Sequence, residues 1–164
     1  MSTELMQSES GQRTEEVASL LHGVVGMRLA RYLANYVDQQ GLGYITNAQT
    51  SFKVAGIPPT RLPDVAFVAL EKLPELIDEE VPFAPDLAVE VISSNDDWKA
   101  IVEKARQYLQ AGTRLVWVVD PYTKSVFVFR DRQEGAFEVV TGANELNGEK
   151  VVPGFKLKIE LLFK

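Results

Sequence analysis

The sequence predicts an α/β (α+β) protein in which a mixed β-sheet is flanked by helices. Two continuous apolar runs, Leu87–Ile92 and Leu115–Val119, enclose an amphipathic segment. A long stretch of helical spacing precedes them, and β-rich segments lie before and after. An apolar strand, a helix and a second apolar strand in succession are the signature of a crossover between parallel strands. The meander-like segments ahead of that unit make the sheet mixed.

The elements follow in order. Residues 1–13 read as a polar tail, and 14–164 as one domain. From Thr14 to Gln39, apolar residues fall at Val17, Leu20, Leu21, Val24, Val25, Leu29, Tyr32, Leu33 and Tyr36. That spacing predicts a helix with Thr14 as N-cap and Glu15 and Glu16 in its first turn. Gly41 and Gly43 end it, while Gly23 and Gly26 are places where it can bend or split. Extended segments are expected at Tyr44–Asn47, Ser51–Ala55 and Asp64–Leu70, with Ile57-Pro58-Pro59 as a break. Glu71–Glu80 is acidic and reads as an exposed loop or short helical turn. Asp96–Ala111 carries a stripe of Trp98, Ile101, Val102, Ala105, Tyr108 and Leu109, with Gly112 as its stop. Ser125–Arg130 and Phe137–Thr141 are β-rich, and Phe155, Leu157 and Ile159 alternate near the end. The order is α-β-β-β-β-α-β-β, with further short strands.

Composition narrows the function classes. The chain has no cysteine, which excludes disulfides, thiolate metal sites and a cysteine nucleophile. It lacks both a signal-peptide pattern and any run of about 18 apolar residues, so the expected setting is cytoplasmic and away from membranes. With 17 Lys and Arg against 23 Asp and Glu, the net charge is −6. Affinity for DNA rests largely on cations that neutralise phosphates. Any such binding by this chain therefore needs a local basic patch, a divalent metal or a second subunit.

Three ionisable residues stand where packing alone explains them poorly. Asp64 follows Pro63 and opens a strand, and Glu90 interrupts an apolar strand. An unpaired buried carboxylate there is costly. Lys104 shares a helix flank with Ile101 and Tyr108, at about 100° per residue. Two carboxylates on neighbouring strands can hold one divalent cation. Such a cation activates water and polarises a phosphodiester, and a nearby lysine can orient the water or neutralise developing charge. Structural roles compete with each reading. An Asp after Pro is commonly a turn residue, a buried Glu commonly pairs with a basic side chain, and a flanking Lys commonly lays its stem along the core. His22, the only histidine, can contact phosphate, although on a helix it more often caps or packs. Gly41-x-Gly43 is too short for a phosphate-binding fingerprint, and Ser93-Ser94-Asn95 reads as a capping loop for the second helix.

The run Arg61-Leu62-Pro63-Asp64-Val65, the run from Ala84 to Ser93, and Glu103-Lys104 followed by Tyr108, Gly112, Trp117 and Asp120-Pro121 resemble the Uma-two family. That family is a large group of restriction-endonuclease-like proteins within the PD-(D/E)xK nucleases, long filed as a domain of unknown function. The likeness spans His22-Gly23 to Pro153-Gly154-Phe155. It implies a restriction-endonuclease-like mixed sheet and a Mg²⁺-dependent (or Mn²⁺-dependent) endonuclease acting on DNA. Asp64 and Glu90 match the acidic positions. Ile92 stands where Glu-x-Lys would place lysine, and Lys104 on the following helix matches the migrated cation. The implied metal ligands are Asp64, Glu90 and the backbone carbonyl of Val91, with Lys104 as the catalytic cation. Asp86, His22 and Tyr108 are auxiliary candidates. Asp86 sits at the far end of Glu90's strand, roughly 13 Å away at strand rise, and can equally be structural. Leu21 occupies a position where relatives often carry glutamate. The competing reading is a non-catalytic DNA-binding or protein-interaction module that keeps the fold. Cleavage of both strands would favour a homodimer with two sites.

Overall fold

The computed structural model describes residues 18–56, 59–131 and 136–164. Helix α1 spans Leu20–Gln40 and begins at Ser19, whose extended backbone and side-chain oxygen, accepting the His22 N–H at 3.2 Å, make the N-cap. The helix thus starts later than the expected Thr14 cap. Thr14, Glu15 and Glu16 lie outside the described residues. Gly23 and Gly26 do not split the helix, because buried Val25, Leu29, Leu33 and Val37 tie one face to the sheet along its length. Gly41 adopts a left-handed φ of 63° and closes the C-terminus with bonds to Asp38 and Val37 carbonyls.

The strands follow as β1 (Gly43–Thr46), β2 (Phe52–Lys53), β3 (Thr60–Arg61), β4 (Val65–Ala69) and β5 (Leu87–Val91). Helix α2 (Trp98–Gln110) comes next, then β6 (Leu115–Asp120), β7 (Ser125–Arg130) and β8 (Phe137–Thr141). Strands β9 (Glu145–Asn147) and β10 (Lys156–Lys158) precede a 3₁₀ turn at Ile159–Leu162. Among the described residues, one sheet has the order β1-β4-β5-β6-β7-β8. Its β5–β6 pair, bridged by α2, is parallel, and the remaining pairs are antiparallel. This is the predicted mixed sheet with helices packed on it. The small ladders β2–β3 and β9–β10 were not foreseen as pairs, since two or three residues offer too little alternation to read. Ile159 ends in the 3₁₀ turn rather than a strand, so that Ile159 and Leu162 are both buried.

Strand alternation decides which layer each side chain joins. Val65, Phe67, Val89, Val91, Trp117 and Val119 pack on the α1 side. Ala66, Val68, Ala88, Val116 and Val118 pack with Ala105 and Tyr108 of α2. Glu90 follows the same parity as Ala88, which aims it at α2. The N-cap of α2 is Asp97 without a side-chain cap bond, while Asp96 accepts from the Ser93 N–H at 2.8 Å. Ser93-Ser94-Asn95 is therefore not the capping group expected of it.

Candidate active site

The register of β4 and β5 pairs Val65 with Val89 and Ala66 with Ala88. One step further sets Asp64 opposite Glu90. The alignment is fixed beyond the ladder, because Asp64 Oδ2 accepts the Val91 N–H at 2.7 Å. Along an extended strand successive backbone groups point to alternate sides. Ile92 N–H turns to the Val119 carbonyl at 2.8 Å on β6, so the Val91 N–H and C=O both face the β4 side. There the residue opposite Val91 is Pro63, which has no N–H to donate to that carbonyl. Asp64, Glu90 and Val91 thus stand at the end of the sheet where β4 begins.

Helix α2 supplies the partners of Glu90. Tyr108 and Lys104 stand one turn apart and reach different oxygens of the same carboxylate. The Tyr108 hydroxyl donates to Oε1 at 2.9 Å, and Lys104 Nζ lies 3.1 Å from Oε2. Small Ala66 and Ala88 beneath the helix let it come this close. Burial drives the Glu90 carboxyl above its usual range, and the Asp64 charge adds to the rise, while Lys104 and the Tyr108 hydroxyl act against it. Burial and the Glu90 charge likewise push the Tyr108 hydroxyl upward, so it remains a proton donor.

His22 Nε2 comes within 3.3 Å of Asp64 Oδ2 from the first turn of α1. The neighbouring Leu21 is 44% exposed, turned away from the core. Asp86 is not brought to this site. It is 1% exposed at the other end of β5, where it accepts the Ala69 N–H at 2.8 Å and pairs with Lys72 at 2.9 Å and Arg114 at 3.3 Å. Those contacts brace β4, β5 and the start of β6.

Beside Glu90 opens a cavity of about 400 Å³ lined by Arg61, Glu90, Val91, Asp96, Lys104 and Gln107 among others. Asp64 and His22 are not part of its lining. Arg61, Asp96 and Gln107 were not singled out from the sequence as site residues. Arg61 carried a signal in its place three residues before Asp64, but the other two read as ordinary polar positions of a loop and a helix.

Among the described residues no group of three or more His, Asp or Glu side chains is placed to hold a metal ion. The set that would have to hold one is smaller: two carboxylates and a backbone carbonyl. That set suits Mg²⁺, which keeps several waters and takes one or two carboxylates plus substrate oxygens. It does not suit a metal that needs a full cage of protein side chains.

Comparisons with known proteins bear on the fold and the family. A crystal structure titled as a "putative nuclease belonging to DUF820" from Anabaena variabilis ATCC 29413 superposes with a TM-score of 0.76 at 19% identity. The match covers 88% of this chain and 81% of that one, and it shows the shared fold. No curated protein matches the chain. The family model described as "Putative restriction endonuclease", Uma2, matches residues 10–160, and the chain belongs to that family.

Proposed function

We propose that this protein is a Mg²⁺- or Mn²⁺-dependent endonuclease that hydrolyses DNA phosphodiester bonds. The observation that carries the reading is the placement of Asp64 opposite Glu90, with Lys104 held on the Glu90 carboxylate. Asp64 and Glu90, with the Val91 carbonyl, would hold the cation. When bound, it supplies Lewis-acid polarisation of the phosphoryl group and lowers the pKa of water. Tyr108 keeps Glu90 oriented from the helix side, and His22 steadies Asp64. Lys104 offers its ammonium to the developing phosphate charge or to the attacking water.

The net charge of −6 favours a second reading, a DNA-binding or protein-interaction module without cleavage. Cleavage assays with Mg²⁺ or Mn²⁺ on single-stranded, double-stranded and structured DNA decide between them. Cleavage lost in both Asp64→Asn and Glu90→Gln supports the enzyme; no cleavage of any substrate by the wild type supports the module. Thermal melts give a second readout, since a metal at a hundredfold excess over its dissociation constant adds about 2.7 kcal/mol of stability. Among the described residues no helix is long and apolar enough to cross a membrane. A cytoplasmic setting and a homodimer for double-strand cleavage complete the proposal.

A further inference from the structure

We propose that Arg61 is the phosphate-binding residue of this cavity, with Gln107 setting its guanidinium in place. The proposal rests on the nuclease reading and adds to it the group that takes a phosphate of the nucleic-acid strand. Among the described residues two basic side chains, Arg61 and Lys104, line the cavity. Lys104 is engaged by Glu90 at 3.1 Å. Among the described residues no carboxylate forms an ion pair with Arg61. Its Nη2 donates to the neutral Oε1 of Gln107, and its Nε is buried without an acceptor. Buried donors are nearly always satisfied, so a guanidinium left short of acceptors beside an open cavity needs an explanation. A phosphate oxygen supplies acceptors and charge together, in the fork geometry that arginine matches best.

The surroundings hold Arg61 for that task. Gln107 donates through Nε2 to Glu103 Oε1 at 3.5 Å, which turns its carbonyl oxygen toward Arg61. Glu103 in turn accepts from Arg106 at 2.7 Å, so its own charge is already met. Arg61 is fixed at the other end by the β2–β3 ladder, where it pairs with fully buried Phe52. It lies three residues before Asp64, on the segment that carries the candidate metal ligand. An acidic chain needs a local cation to meet DNA, and among the described residues Arg61 is the cation of this cavity that no carboxylate pairs.

The test uses the full chain and fluorescence anisotropy of a short labelled DNA duplex and single strand, with Ca²⁺ in place of Mg²⁺ to slow turnover. Arg61→Ala should weaken binding on the order of tenfold and reduce the slope of log affinity against log salt by about 1. The Mn²⁺-dependent rise in melting temperature should stay as in the wild type. Gln107→Glu, nearly isosteric, sets a carboxylate on the guanidinium and should weaken binding in the same direction; it carries the test if Arg61→Ala fails to fold. Lys99→Ala, on the exposed face of α2, should bind as the wild type does. Wild-type affinity and salt slope in whichever of Arg61→Ala and Gln107→Glu folds overturn the proposal and leave the nuclease reading intact. A wild-type protein that binds no DNA overturns both.

Discussion

The hydroxyl of Tyr108 donates to Glu90 at 2.9 Å, so the second helix holds the carboxylate from its own face of the sheet. The bond stabilises the charged form of Glu90 against the burial that disfavours it. Tyr108→Phe keeps the buried ring and removes only that donor. The variant should lose about 1 kcal/mol, the net worth of a typical hydrogen bond. The Glu90 carboxyl should rise further, and a carboxylate must be ionised to hold a cation. The acid limb of the pH–cleavage profile should therefore move to higher pH. A limb at the wild-type position would show that the tyrosine does not tune Glu90.

Glu90 itself gives a prediction with a definite sign. Burial raises its folded pKa above that of an ordinary glutamate, so the folded chain binds the proton more tightly than the unfolded one. Stability from this group is fully present below the unfolded pKa and is lost as pH rises through the folded pKa. At neutral pH without metal, Glu90 is therefore a cost to the fold. Glu90→Gln should raise metal-free stability by about 0.5–2 kcal/mol, the usual gain from relieving a site built for function. Denaturant melts at pH 4 and pH 7 check it, because the gain should be smaller at the lower pH. Added Mn²⁺ should stabilise the wild type and leave Glu90→Gln nearly unmoved.

Asp86 is a structural carboxylate by its contacts. Asp86→Ala strips an acceptor from the buried Ala69 N–H, while Lys72 and Arg114, 38% and 42% exposed, can turn to water. The cost should therefore be near that of one unsatisfied buried donor, about 1–3 kcal/mol, rather than that of an abandoned buried charge. Cleavage by the folded fraction should persist. Selective loss of cleavage with unchanged melting would instead place Asp86 in the chemistry.

The parts of the fold that were legible share a cause. The runs at Leu87–Val91 and Leu115–Asp120 are buried on both faces, so nearly every residue carries the same apolar signal. Glu90 stands out against that background, which is what marks it as a candidate site residue. The observed cap of α1 is Ser19, whereas the expected Thr14 lies outside the described residues; both are acceptable cap types, so the local sequence does not choose between them. Arg61 and Gln107 were invisible as a pair. They lie 46 residues apart and meet only because β3 returns alongside α2. No local pattern encodes a contact of that kind.

Lys104 separates an enzyme from a module that merely keeps the fold. Its ammonium sits 3.1 Å from Glu90 while its side chain remains 32% exposed, so it borders the core and is not buried in it. A metal ligand it cannot be, since an ammonium has no lone pair. It repels a cation at Glu90, and its removal should leave Mn²⁺ affinity unchanged or slightly higher. If it neutralises charge on the phosphate or moves a proton, Lys104→Ala should abolish cleavage while the Mn²⁺-dependent rise in melting temperature persists. Lys104→Arg should restore little, because the guanidinium is bulkier and does not give up its proton. If the lysine only covers apolar surface with its stem, Lys104→Ala should cost modest stability and spare cleavage. Lys99→Ala, on the exposed face of the same helix, calibrates the assay. Equal cleavage by the Lys99 and Lys104 variants would remove Lys104 from the reaction, and with it the strongest reason to read this site as catalytic.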